Sequence, residues 1–362
     1  MKIQSIETFL HGQVCFVRVT TESGAEGWGQ LPLSCSDISA AVLHRQLAPA
    51  ALGADADDLE ALSDRVMEAL YKFPGSYTCR ALAGLDTALW DLKGKQAGRS
   101  VADLLGRRRD RVPVYASSMR RDIQPREEAD RMVRFCAQRG FRAVKLKIGR
   151  RNGHDEDQWP GRTQDVVSTV RRALGDSIDI LVDANSCYTA PKAIEVGRML
   201  EQHRVGHFEE PCPYWEIEWT AQVAAALDIP VAGGEQDCDL GQWRRIVAMH
   251  AVDIAQPDVL YVGGLTRARR VARMAEAAGL PCVPHSASRT MLQVFTLHLL
   301  ATIPNAVHME YSIEDTPQND ELFTPAPEVR DGMVAVPSGP GWGVTIRPEV
   351  LAASQCQISR RQ

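Results

Sequence analysis

The sequence predicts an α/β protein in which a barrel of parallel strands and helices follows a smaller α+β domain. From Val112 onward, short apolar strands alternate with amphipathic helices, an order typical of parallel βα units. Residues 2–30 instead alternate apolar and polar positions, which indicates an antiparallel hairpin or meander. The 362 residues are enough for one large barrel and one additional domain.

The N-terminal part, residues 1–110, is predicted to form the α+β domain. Its strand pattern breaks at Ser23-Gly24 and resumes afterwards, and residues 38–105 carry apolar positions at three- and four-residue spacings. The charged run 106–111 marks the expected boundary. Because the whole chain has a net charge of -5, this run is interpreted as a solvated linker and not as a polyanion site.

Eight strands are predicted within residues 111–315, and eight parallel strands favour a closed barrel. They are Val112–Ala116, Ala143–Ile148, Ile178–Asp183, His207–Glu209, Val231–Glu235, Val252–Gln256, Pro281–His285 and Val307–Glu310. Intervening helices are expected to end at Gly140 and Gly279. Residues 316–362 are expected to form a strand pair around Gly332 and to pack back on the N-terminal domain.

Composition narrows the class of protein. Hydrophobic residues make up 44% and charged residues 24%, the values of an ordinary globular protein, and the negative charge argues against nucleic acid as a partner. The N-terminus lacks an apolar run long enough for a secretory signal, and no stretch approaches a membrane span, so a cytoplasmic protein without membrane contact is expected. Nine cysteines without a C-x-x-C pair indicate reduced thiols.

Polar residues recur at the ends of the predicted barrel strands. In a parallel barrel these ends face one mouth, so side chains far apart in sequence converge there. The set comprises Lys147, Asp183, Glu209, Glu235, Asp258, His285 and Glu310. Each acid alone could also be a helix cap or a surface charge, but their regular placement favours one cluster.

The cluster includes three carboxylates on adjacent strands, Asp183, Glu209 and Glu235. Such crowding is costly unless a cation neutralises it, and Mg²⁺ fits because it binds a few carboxylate oxygens and leaves positions for water and substrate. We expect one Mg²⁺ per subunit, for which Mn²⁺ could substitute. Strand alternation places Glu209 and Glu210 on opposite faces, so only Glu209 is predicted to be a ligand.

Acid–base groups accompany the carboxylates. Lys145 and Lys147 share one face of their strand, and a lysine near a dication with a lowered pKa can act as a base. Asp258 and His285 end neighbouring strands, which allows the carboxylate to orient the imidazole as a second acid–base group. Glu310 is predicted to be either a protonated hydrogen-bond donor to a substrate carboxylate or a structural salt-bridge partner.

Taken together, these motifs resemble the enolase superfamily and, within it, the mandelate racemase-like group. The resemblance covers nearly the whole chain. It rests on Ala83–Lys95, Val144–Lys147, Val182–Asn185, Phe208–Pro211, Gly233–Glu235, Gln256–Asp258 with Gly263-Gly264, and Pro284–Ser286.

The resemblance implies a modified (β/α)8 barrel, that is (β/α)7β, with an α+β capping domain built by both chain ends. It implies Asp183, Glu209 and Glu235 as magnesium ligands, Lys147 as the base on one face of the substrate, and the pair Asp258 and His285 on the other. Lys145 and Asn185 would hold the enolate oxygens, and Glu310 matches the position of an acid that contacts the substrate carboxylate.

Two segments depart from the group. The connection at His11-Gly12 is short where relatives carry a loop over the substrate, so Leu31–Ser36, Phe73–Tyr77 or a neighbouring subunit of the expected homo-oligomer must close the site. The connection Arg150–Arg162 is unusually long and polar, and it is interpreted as a solvent loop or as a specificity element.

The implied chemistry is abstraction of the proton beside a carboxylate, with stabilisation of the enediolate. Dehydration of a sugar acid, an aldonate or aldarate, to a 2-keto-3-deoxy acid is the favoured outcome. The same residues could serve a racemase or epimerase of a 2-hydroxy acid, or a cycloisomerase of a sugar-acid lactone. A catalytically silent binding protein on the same fold is the non-enzyme alternative.

Overall fold

The computed structural model describes residues 1–314 and 321–361, and the domain boundary expected at 315/316 lies outside this part. Its strands are β1 Ile3–His11, β2 Val14–Thr21, β3 Glu26–Leu31, β4 Arg111–Ser117, β5 Ala143–Lys147, β6 Asp179–Asp183, β7 Val205–Glu209, β8 Val231–Gly233, β9 Ile254–Ala255, β10 Met309–Ser312, β11 Phe323–Thr324, β12 Val329–Arg330, β13 Met333–Ala335, β14 Thr345–Ile346 and β15 Gln355–Arg360.

Helices connect most of these strands. They are α1 Ser36–Val42, α2 Ala48–Ala51, α3 Leu59–Ala69, α4 Ser76–Gln96, α5 Val101–Leu104, α6 Pro125–Arg139, α7 Arg162–Leu174, α8 Ala190–Gln202, α9 Ile217–Ala226, α10 Leu240–Ala248, α11 Leu265–Ala277, α12 Met291–Leu300 and α13 Pro348–Ala352, with a π-helical turn at Leu43–Leu47. No helix of the described ranges is both long and apolar enough to cross a bilayer.

The N-terminal sheet is antiparallel, with strand order β15-β1-β2-β3, which confirms the predicted meander. Its outer strand β15 comes from the far end of the chain. Helix α4 packs closely on β3, because glycines occupy the contact on both elements. The division of the chain into domains remains a prediction, although pairing of β15 with β1 joins the two chain ends in one sheet.

The barrel strands run parallel in the order β4-β5-β6-β7-β8-β9, and β10 pairs with β4. Bridges from Ala255 to Cys282 and from Cys282 to Ala306 complete the ring between β9 and β10. A strand predicted at Pro281–His285 is therefore reduced to one bridging residue. Pro281 and Pro284 lack backbone N–H groups, which limits pairing on this segment.

Other predictions along the barrel hold. Helix α6 ends before Gly140, whose φ of 74° is the left-handed conformation that terminates helices, and α11 ends two residues before Gly279. The predicted strand pair around Gly332 is present as β12 and β13, which extends the sheet beside β4.

The N-terminal unit rests on the barrel through α4. Asp86 of α4 accepts a hydrogen bond from the backbone N–H of Thr266 at 3.1 Å, and the Trp90 indole donates to the Thr266 hydroxyl at 3.0 Å. Gln30, at the end of β3, donates to Thr290 at 3.1 Å. These contacts fix the end of β3 and the middle of α4 against the barrel.

Candidate active site

A cavity of about 460 Å³ opens at the carboxyl ends of the barrel strands. Lys147, Glu235 and His285 line it, together with Asn185. The strand ends therefore bring the predicted acid, base and ligand types to one place, as the parallel barrel requires.

Lys145 lies at the centre of the acidic residues. Its ammonium group is 2.8 Å from both carboxylate oxygens of Glu209, 2.8 Å from Glu310 and 4.0 Å from Asp183. Burial alone would lower the pKa of Lys145, but Glu209 and Glu310 hold it well above its ordinary value. With protein groups alone, Lys145 is thus a charged partner of these carboxylates.

Lys147 occupies the next inward position of β5, two residues further on. Its ammonium group contacts the carboxylate of Asp183, and both side chains are buried. The backbone carbonyl of Lys147 accepts a 2.8 Å hydrogen bond from Arg162, which fixes the strand end. Because Lys147 reaches the cavity while Lys145 lies deeper, Lys147 is the lysine available to a substrate.

The three predicted metal ligands, Asp183, Glu209 and Glu235, are buried at the ends of β6 and β7 and just past β8. Burial, and then Glu209 and Asp183, raise the pKa of Glu235, whereas His285 opposes the rise. Within the described residues, no three His, Cys, Asp or Glu side chains already form a ready ligand set, since the two lysines hold two of the carboxylates. A buried group of hard oxygen donors nevertheless fits a divalent ion such as Mg²⁺.

Glu210 corrects one expectation. Strand alternation predicts that the side chains of Glu209 and Glu210 lie on opposite faces of the strand, with only Glu209 toward the barrel mouth. Glu210 nevertheless lines the cavity. The strand ends at Glu209, and Glu210 takes a left-handed φ of 42°, so the alternation stops there. Its Oε2 accepts from the Asn185 amide at 3.2 Å, and its buried Oε1 has no hydrogen-bond partner.

His285 forms the predicted pair with Asp258. The imidazole Nδ1 is 2.7 Å from Asp258 Oδ2, while Asp258 Oδ1 accepts from the backbone N–H groups of Leu260 at 2.7 Å and Tyr261 at 3.0 Å. The other nitrogen, Nε2, is 3.4 Å from Glu235. Although burial opposes it, Glu235 and Asp258 hold the pKa of His285 well above its ordinary value, which favours the imidazolium.

Lys147 and His285 approach the cavity from different sides. Lys147 ends the second strand of the ring, and His285 follows the seventh position, which Cys282 occupies. Three steps around a ring of eight separate them, so they reach the cavity from well-separated strand positions.

Glu310 accepts hydrogen bonds from the Ser117 hydroxyl at 2.7 Å and the Ser286 backbone N–H at 2.9 Å. Its salt bridge to Lys145 is 2.8 Å long. Burial opposes ionisation, but Lys145 and His285 hold the pKa of Glu310 below its ordinary value. Of its two predicted roles, this environment favours the ionised salt-bridge partner.

Asn185 uses all its polar side-chain atoms within the protein. Its amide donates to Asp183 at 3.1 Å and to Glu210, and its Oδ1 accepts from Arg121 at 2.8 Å. Sequence reasoning missed Arg121, which lies in the loop after β4 without a motif to mark it. It also missed Gln256, although the Gln256–Asp258 motif contains it; Gln256 donates to Glu209 at 3.0 Å.

One of the segments considered as lids, Leu31–Ser36, reaches this mouth. Ser34, within Leu31–Ser36, lines the cavity. Phe73 is exposed, and Arg80, one turn into α4, stacks at 3.7 Å on the ring of Tyr261, which itself lines the cavity. Closure by either segment remains a prediction.

Comparison with known proteins adds independent findings. Residues 2–106 match the family described as "Mandelate racemase / muconate lactonizing enzyme, N-terminal domain", and residues 126–350 match "Enolase C-terminal domain-like". A crystal structure described as "a putative racemase from Roseobacter denitrificans" is 54% identical, has a TM-score of 0.98 and covers 100% of both chains.

Two curated relatives are more distant. Arabinonate dehydratase of Saccharolobus solfataricus is 29% identical over 95% of this chain and 91% of its own. D-galactarolactone cycloisomerase of Agrobacterium fabrum is 33% identical over 92% of this chain and 89% of its own.

Proposed function

The chain belongs to the mandelate racemase and muconate lactonizing enzyme family of the enolase superfamily, and on that basis we propose that it dehydrates a sugar acid. The reaction removes the proton beside the carboxylate and expels the hydroxyl from the next carbon. The observation that carries the proposal is that Lys147, Glu235 and the Asp258-bound His285 line one cavity, with Lys147 and His285 on well-separated strands of the ring. The names of the two curated relatives support a sugar acid as the substrate class.

Asp183, Glu209 and Glu235 would hold one Mg²⁺, which Mn²⁺ could replace. When bound, the ion supplies positive charge where the substrate carboxylate gains negative charge during proton removal. The oxygen-only donor set and its burial support this assignment.

Lys147 takes the proton from C2 onto its Nζ. His285, as the imidazolium that Asp258 and Glu235 favour, gives a proton to the C3 hydroxyl, which leaves as water. The C2–H electron pair first moves toward the carboxylate to give the enediolate. It then forms the C2–C3 double bond as the C3–O bond breaks, and the resulting enol becomes the 2-keto-3-deoxy acid. Lys145, held by Glu209 and Glu310, contributes a fixed positive charge beneath the carboxylate and enolate oxygens.

A second candidate is 1,1-proton transfer, as in a racemase or epimerase. It is favoured by the presence of both Lys147 and His285 in the cavity, and by the description of the 54% identical protein as "a putative racemase". A cycloisomerase, as the Agrobacterium relative is named, would use the same pair on a lactone.

A substrate panel separates these candidates. Purified protein with Mg²⁺ is incubated with aldonic and aldaric acids, and 2-keto acids are read by the semicarbazide reaction. We expect absorbance with at least one acid. If no acid of the panel gives a keto acid, and C2 exchanges with solvent deuterium in D₂O, the dehydratase assignment is rejected in favour of a racemase.

Two substitutions test the mechanism. Lys147→Ala and His285→Ala should each lower turnover by roughly a hundredfold or more, the range for loss of a general acid or base. Magnesium binding, measured by titration calorimetry, should be retained in both variants, because neither residue is a proposed ligand. Lys192→Ala, which removes an exposed lysine paired with Glu195, is the control. Retained turnover in both active-site variants would contradict the assignment.

A further inference from the structure

The long connection after β5 carries two consecutive arginines that differ in their surroundings. Arg150 forms a 2.8 Å ion pair with Glu156, and both side chains are mostly exposed to solvent. Arg151 lines the catalytic cavity with Lys147, Glu235 and His285. Arg150 is therefore neutralised by an ion pair at the protein surface, whereas Arg151 faces the catalytic cavity.

The connection holds Arg151 in place through contacts with the barrel. The backbone N–H of Asn152 donates to the Asn185 carbonyl at 3.1 Å. Asp155 accepts from the backbone N–H of Thr189 at 2.7 Å, at the start of α8. Asp157 accepts from that of Thr163 at 2.6 Å, in the first turn of α7. Three anchors on separate elements fix the loop beside the cavity.

The charge of Arg151 is not offset by its neighbours. Among residues 1–314 and 321–361, no carboxylate forms an ion pair with it, and the buried Arg121, another cation, interacts with it unfavourably. Arg121 is engaged by the Asn185 side chain, and Lys147 by Asp183. The guanidinium groups of Arg121 and Arg151 repel each other, and Arg151 is exposed to the cavity. An anion bound there would reduce this repulsion.

We propose that Arg151 binds a second carboxylate at the far end of the substrate, so that the enzyme prefers aldarates, the dicarboxylic sugar acids, to aldonates. This inference rests on the proposed function, because it assigns the first carboxylate to the Lys145 end of the cavity. A guanidinium matches a carboxylate with two parallel hydrogen bonds. The volume of about 460 Å³ is in the range of small-molecule sites and accommodates a six-carbon diacid.

The experiment compares acids that differ only at C6, as galactarate and galactonate do, across the set of hexarates and hexonates. Dissociation constants are measured by titration calorimetry on the Mg²⁺-loaded protein, and kcat/KM by keto-acid formation. The unchanged protein should favour a hexarate over its matched hexonate. Arg151→Gln should weaken hexarate binding by roughly ten- to a hundredfold, as expected for loss of a charged hydrogen-bond pair, and leave hexonate binding within about twofold.

Arg150→Gln is the matched control, because it removes the neighbouring charge from the same loop without touching the cavity; it should leave both acids unaffected. Arg151→Lys should restore part of the preference. The inference is overturned if the unchanged protein binds no hexarate, if it prefers hexonates, or if Arg151→Gln weakens both acids equally. If only hexonates are turned over, the proposed dehydration stands and the role of Arg151 is rejected. If hexarates bind in an Arg151-dependent way but are not turned over, the role of Arg151 stands and the proposed dehydration is rejected.

Discussion

His285 lies between two carboxylates that act on different nitrogens of its ring. Asp258 accepts from Nδ1, and Glu235 lies near Nε2. Asp258 is itself oriented by two backbone N–H groups on its other oxygen, so it cannot rotate away from the imidazole without losing both. The ring is therefore held as an acid whose second N–H lies beside Glu235 at the cavity.

Asp258→Asn should reverse this arrangement. Its amide oxygen would stay with the backbone N–H groups of Leu260 and Tyr261, which turns the NH₂ group toward Nδ1 and disfavours the imidazolium. Because Asp258 raises the pKa of His285, its loss lowers that pKa, and the protonated acid disappears at a lower pH. We expect kcat to fall roughly a hundredfold and the decline of kcat at high pH to begin earlier. A pH–rate profile whose high-pH limb stays unchanged would contradict this role.

The sequence predicted the residues whose positions follow from strand ends. Lys147 and Asp183 reach the site for the reason that the pattern gave, namely as ends of parallel strands in one barrel. His285 reaches it after the single bridging residue Cys282 and not after the full strand that was predicted. Glu210 was assigned to the wrong face because a left-handed residue ends the alternation, which no periodicity reveals. The connection Arg150–Arg162 was left open between a solvent loop and a specificity element, because its course depends on anchors such as those of Asp155 and Asp157 to distant elements.

At the level of the elements, the contact of β3 with α4 depends on missing side chains. A Cβ at Gly29 would lie 2.5 Å from the backbone nitrogen of Ala88 and 2.6 Å from the carbonyl oxygen of Gly84. A Cβ at Gly84 would lie 2.7 Å from Val17 on the adjacent strand. The helix can approach the sheet so closely only because both surfaces are bare.

Gly29→Ala should therefore separate α4 from β3. The clash is with backbone atoms, which cannot move aside as a side chain does, so we expect a loss of about 2 kcal/mol or more in unfolding free energy, as for other overpacked cores. Urea unfolding followed by circular dichroism measures it. Gly206→Ala, in the exposed part of β7 where the new Cβ comes closest to the end of the Leu181 side chain, is the control. Equal stability of the two variants would refute the close-packing argument.

The elements themselves were predictable to different degrees. Helices such as α6 and α11 follow from periodicity and a terminal glycine, which are local signals. The segment Pro281–His285 carried enough apolar residues to predict a strand, yet its prolines leave a single bridge at Cys282. The close approach of α4 was not predicted, since glycines in a sequence do not show what packs against them.

At the level of the molecule, one of the contacts between the N-terminal unit and the barrel is made by an acidic residue of α4, Asp86. Asp86 is almost completely buried and accepts from the start of α11. Burial raises the pKa of Asp86 to about 6, although hydrogen bonds from Thr266 and Leu265 and the charge of Arg267 oppose the rise. The charged form of this carboxyl is thus less stable in the folded protein than in the unfolded chain.

This penalty gives the stability of the protein a pH dependence that Asp86→Asn should reduce. An acid whose folded-state pKa exceeds its ordinary value of 3.8 weakens stability as pH rises through that interval, and the loss is complete above about pH 7. Relative to the unchanged protein, Asp86→Asn should gain on the order of 1–3 kcal/mol between pH 4 and pH 8, from about two pKa units. Urea unfolding at several pH values measures the difference. Asp228→Asn removes an exposed carboxylate and is the control. Its unfolding free energy should show the same pH dependence as that of the unchanged protein. If the unfolding free energy of Asp86→Asn changes with pH in the same way as that of the unchanged protein, the carboxyl of Asp86 is not the source of this pH dependence.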